Sequence, residues 1–192
     1  MGDRIKSSYE IAMERAEKLD VDTNTEKLDL RSEIRPILSK FFQDKIDADG
    51  LWEEFKDSEE DRLAEAQRMI VSSLGLNSNQ QEIKLRKEGL MAIEDLKEEP
   101  NPSELDQLMA KVDQVVQQYN QEQEQLQRKI ENMLRQAAST NGQQPNDVME
   151  LLGNLDENTQ RQLQQARQEI EERFKEEWES LEEKLNKLVS QE

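Results

Sequence analysis

Between Leu105 and Ala137, apolar residues return at alternating four- and three-residue steps. Leu105, Met109, Val112, Val116, Tyr119, Leu126, Ile130, Met133 and Ala137 fall on one line, with polar Gln123 in its middle. That is the a/d seam of a coiled coil, held for nearly five heptads. Asn101, Pro102 and Glu104 give the helix its start: a cap, a proline where its missing N–H costs nothing, and the acid that closes a capping box. The pattern predicts a helix from 102 to about Ser139, then a turn over STNGQQPN (139–146). A short helix with Val148, Leu151 and Leu152 follows, closed by Gly153. A second long helix is predicted from near Asp156 to the C-terminus, with Leu163, Ala166, Ile170, Phe174, Trp178, Leu181, Leu185 and Leu188 as its stripe. Its phase slips between Ile170 and Leu181, as when extra residues enter a heptad register.

The first half is less regular but also helical. Ser7 with Glu10, and Thr23 with Glu26, have capping-box spacing, and Ile5, Tyr9, Ala12, Ala16 and Leu19 share one face between them. Leu30, Ile34, Ile37, Leu38 and Phe41 continue a helical stripe in which Pro36 predicts a kink or a break, because proline removes a donor and crowds the preceding turn. Leu51, Trp52 and Phe55, with the last two expected to face a core, lead into Leu63, Ala66, Met69, Ile70 and Leu74, with Gly75 as a stop. Asn79 with Glu82 starts a further helix carrying Ile83, Leu90, Ile93 and Leu96, and EEPNP (98–102) ends this half. The expectation is an all-α protein: a small N-terminal helical lobe (5–98) and a long antiparallel coiled-coil helical hairpin (102–190).

Composition narrows the function more than it reveals it. Of 192 residues, 33% are hydrophobic and 36% charged. That apolar share suits narrow stripes better than one large core. The net charge of −18 argues against nucleic acid and against anionic membrane surfaces, both of which ask for clustered Lys and Arg. No apolar run approaches the length of a membrane span, and the first residues lack a signal peptide's pattern, so a cytoplasmic location is expected. With no His and no Cys, imidazole and thiolate chemistry are both missing. Carboxylate pairs could still divide an acid and a base role between them. The acidic runs, such as Glu59-Glu60-Asp61, are expected on solvated helix faces, so no catalytic residue, metal or cofactor is assigned.

KIDADGLWEEFK (45–56) comes nearest to a metal loop. Aligning Gly50 with the sixth position of an EF-hand places Asp47 and Asp49 correctly, yet puts Lys45 at the first position and Lys56 at the twelfth. Ammonium groups at two ligand positions repel the ion. The same residues make a complete helix start, with Asp47 or Asp49 capping the first N–H groups and Glu53 and Glu54 complementing the dipole.

Phe41 and Phe42 are adjacent and cannot both face one core. One of them is the favoured contact point for a protein partner. Val148, Met149 and Leu152 near the hairpin tip are further candidates. The seam residues Met109, Val112, Val116, Tyr119, Leu126, Ile130 and Met133 are read as coiled-coil core. Gln123 could set register or could simply mark a loosely packed level.

The segment IKSSYEIAMERAEKL (5–19) resembles the start of a family of uncharacterised bacterial helical proteins. The resemblance implies an intracellular bacterial setting and carries no activity or site. The function expected is a non-enzymatic interaction or scaffold protein, whose coiled-coil arm serves self-association or partner docking. A holdase-like chaperone with a prefoldin-like hairpin is the alternative, and a carboxylate-only enzyme a more remote one.

Overall fold

A computed structural model describes residues 25–141 and 157–190, with side chains over 28–133, at 159 and over 161–190. Among these residues all regular secondary structure is helical. The helices are α1 (Thr25–Phe42), α2 (Ala48–Phe55), α3 (Glu60–Ser72), α4 (Gln80–Glu94), α5 (Pro102–Asn141) and α6 (Glu157–Ser190). The helix expected over 5–19, its capping box and the short helix around Leu151 lie outside the described residues.

The chain divides into two compact units: residues 1–116 with 178–192, and residues 117–177. Both long helices contribute to each. In the first unit the apolar faces of α1 to α4 meet. Ile34, Leu38 and Phe41 of α1, Leu51 and Phe55 of α2, Leu63, Ala66 and Ile70 of α3, and Ile83, Leu90 and Ile93 of α4 are all buried. The opening of α5 and the end of α6 complete this core. Leu105, Met109, Val112 and Val116 are buried, as are Trp178, Leu181, Leu185 and Val189. Leu108 and Val115 are buried beside the seam, so α5 presents a wide globular stripe here rather than a narrow one. In α6 the column closes on Val189, fully buried, while Leu188 is half-exposed. The four-residue steps from Ile170 through Phe174 to Trp178 carry the phase past Leu188.

Local starts and stops follow the capping rules. Asp47 caps α2, its Oδ1 accepting from the Gly50 N–H at 2.9 Å, and Asp49 sits in the first turn. The aspartates at 47 and 49 therefore start a helix. Asn79 and Glu82 form a complete reciprocal box at α4. At α5 the box is altered. Asn101 Oδ1 accepts from the Glu104 N–H, but Glu104 takes its bond from the Asn101 side-chain amide, and the Asn101 backbone N–H donates to Glu94 instead.

Two expectations are corrected. Of the kink or break expected at Pro36, the break does not occur: helix α1 runs on through it. A proline forfeits only one backbone bond, and the fully buried Ile34, Leu38 and Phe41 on either side hold the turn together. Trp52 does not face the core with Phe55. It is 37% exposed, and Leu51 and Phe55, four apart, are the inward pair.

Gly89 marks a close approach between helices. A Cβ built there would lie 2.5 Å from Phe41 Cε1, 2.8 Å from Phe41 Cζ and 3.3 Å from Leu51 Cδ2. The ring it meets is buried and rigid. Gly89→Ala should therefore destabilise by about 1–3 kcal/mol through overpacking, despite alanine's better helix propensity. Chemical denaturation would check this; a more stable variant would mean that the core has room to shift.

Candidate functional site

The adjacent phenylalanines separate as geometry requires. Phe41 is fully buried against Gly89, while Phe42 is half-buried at the surface of the lobe. The Arg86 guanidinium lies over the Phe42 ring, 4.3 Å from its centroid, a cation–π arrangement. Arg86 falls three residues after Ile83 and four before Leu90, so α4 turns it onto the apolar face, where only 7% of it is exposed. Its Nε donates to Ser73 Oγ at 3.3 Å. Burial pushes its ionisation below the usual arginine range, and the nearby Glu82 charge opposes that only in part. No carboxylate among the described residues pairs with it at ion-pair distance.

Phe42 and Arg86 line an open groove of about 880 Å³ along α1 and α4. Gln43, Asp44, Glu82, Lys84, Leu85 and Glu88 complete much of its wall. Asp44 takes a left-handed backbone (φ 60°) just past α1. Its N–H donates to Phe41 O, and the Lys45 N–H to Lys40 O, which closes the helix end as a glycine usually does.

Among the described residues two carboxylates are buried in the lobe, and composition did not reveal them. Glu65 receives Arg31 Nε at 2.5 Å and Arg68 Nη1 at 3.1 Å. Glu94 receives Gln67 Nε2 at 2.8 Å, Lys97 Nζ at 3.0 Å and the Asn101 N–H at 2.8 Å. Burial alone would raise the Glu94 carboxyl. The bonds from Gln67, Asn101 and Lys97, with the lysine's charge, outweigh it and hold the group below the ordinary carboxylate range. Lys97 also donates to Val189 O, and Arg68 Nε donates to Ser190 Oγ, so a cation from each carboxylate cluster grips the end of α6. An acid pinned ionised in this way is not tuned to move protons near neutrality. The signal was present in the sequence: Gln67 is four residues past Leu63, Glu94 four past Leu90 and Lys97 four past Ile93, all on apolar stripes.

In the second unit Tyr119 meets Phe174 edge to face, with centroids 5.5 Å apart. Arg173 lies over the Phe174 ring and pairs with Glu122, not with Glu169 on its own helix. Of the seam residues, Met109, Val112, Val116 and Tyr119 are buried, whereas Leu126, Ile130 and Met133 are only half-buried. Gln123 is half-buried as well. Val148, Met149 and Leu152 lie outside the described residues.

These features define an all-helical protein in which no described helix is long and apolar enough to cross a membrane. The chain belongs to a family of unknown function (DUF6657), which it matches over residues 50–187. The match thus lies beyond the segment 5–19 that suggested an uncharacterised family. No curated protein and no solved structure matches the chain.

Proposed function

We propose that this is a non-enzymatic helical interaction protein whose two long helices serve as a coiled-coil arm for self-association or partner docking. The observation that carries the reading is the change in cover along the seam. Val112 and Val116 are sealed, but Leu126, Ile130 and Met133 on α5 and Leu163, Ala166 and Ile170 on α6 stay half-covered. Apolar positions repeated at heptad spacing and left partly wet are where a further helix gains most.

Antiparallel pairing of the two stretches is supported by their order. Residue 119 meets 174, 122 meets 173, and Leu126 and Lys129 line one cleft with Ala166 and Ile170. The enzyme alternative gains nothing from Glu65 and Glu94, each saturated by cations and donors. The holdase alternative rests on Val148, Met149 and Leu152, and no observation among the described residues favours it.

Light scattering coupled to size exclusion tests the self-association branch. The full chain should run as a concentration-dependent oligomer, and Leu126→Asp with Ile130→Asp should return it to monomer without loss of helix content. A monomer at every concentration, with no protein captured through the arm in a pulldown that the double variant abolishes, would remove the proposal.

A further inference from the structure

The geometry points to the Arg86–Phe42 groove as a binding site for a small monocarboxylate carried on an apolar body. Arg86 is more than nine-tenths buried, and among the described residues its hydrogen bond is made through Nε. Among the described residues, Nη1 and Nη2 therefore have no hydrogen-bond or ion-pair partner. They are not sealed in, since the buried side-chain atoms lacking a partner are Arg62 Nε and Gln67 Oε1. A desolvated guanidinium with its fork open to a groove is matched by a carboxylate, whose two oxygens accept both N–H groups at once. Stacking on Phe42 and the bond to Ser73 fix the plane of the fork before any ligand arrives, which lowers the ordering cost of binding.

The wall chooses among anions. Asp44, Glu82 and Glu88 line the groove, so a multiply charged phosphate meets like charge, while a single carboxylate meets it only once. Two of the acids are already engaged: Glu88 faces Lys84 Nζ at 3.7 Å, and Glu82 accepts from the Asn79 N–H. Leu85 offers apolar surface for the rest of the ligand. The groove volume, about 880 Å³, lies within the range of small-molecule sites. This site is independent of the arm and of any self-association.

The test is a calorimetric titration of the full chain with sodium benzoate, in buffer free of other carboxylates and at fixed ionic strength. The Arg86 Nε–Hε signal is followed by NMR in parallel. Saturable binding is expected, with a shift of that signal, and Arg86→Gln should weaken it about tenfold or more. Inorganic phosphate should bind less tightly than benzoate. Arg86→Lys keeps a cation over Phe42 but loses the fork; it decides the matter if Arg86→Gln does not fold, and it should bind severalfold more weakly than the native chain. No saturation, unchanged affinity in a folded Arg86 variant, or tighter binding of phosphate would each overturn the assignment.

Discussion

Replacing Glu94 by alanine is expected to cost about 3–5 kcal/mol at neutral pH, the range for breaking a buried ion pair and leaving one charge stranded. Lys97 would keep only the Val189 carbonyl, Gln67 would keep only Leu90 O, and the Asn101 N–H would lose its acceptor. The double replacement Glu94→Leu with Lys97→Met should restore part of the loss and no more, because Gln67 and Asn101 remain short of a partner. The pH dependence has a definite sign. The folded carboxyl titrates below its ordinary 4.5, so its contribution is fully present above that value. It is lost as pH falls through the lower, folded value. Urea denaturation at neutral and acid pH checks both points: Glu94→Ala should show a smaller acid loss than the native chain. A neutral-pH loss under about 1 kcal/mol would place the pair with exposed ones and contradict the burial.

Phe41→Ala should be comparably severe, about 3–5 kcal/mol, because it empties a fully buried aromatic site where α1, α2 and α4 converge. Phe42→Ala, one residue away, removes a half-buried ring and should cost far less. Thermal unfolding of the two variants separates their roles, and equal losses would mean that the Phe42 ring is as much core as its neighbour. Gly89 sharpens the test. Its missing side chain is the space that the Phe41 ring occupies, so Phe41→Leu should relieve the overpacking of Gly89→Ala, and the two effects should not add.

Much of the helical plan was legible because it is local. The Asn79–Glu82 box, the Asp47 cap and the Pro102 start each need only neighbouring residues, and all appear in the structure. What escaped was settled by distant segments. Trp52 with Phe55 and Leu51 with Phe55 are equally good stripes within one helix; the packing of α1 and α4 against α2 decides for Leu51. Glu104 had the spacing to close the box at Asn101, but Glu94, folded back from the preceding helix, reached the backbone N–H first. Arg86 illustrates the same limit at the candidate site. Its place on the apolar stripe of α4 was visible, whereas the phenylalanine beneath it is supplied by α1, more than forty residues earlier. Burial of Glu65 and Glu94 escaped for a different reason: the stripe spacing of Glu94 was visible, but in so acidic a chain one more glutamate reads as solvated surface.

The hold on α6 has a consequence for synthesis. Lys97 reaches Val189 across 92 positions, and Arg68 reaches Ser190 across 122. While the ribosome is still translating, the first four described helices have emerged but the strand of side chains that seals them has not been made. The lobe must then wait with greasy surface uncovered until the segment around Val189 and Ser190 has been made, which favours slow maturation and makes helpers on the nascent chain valuable.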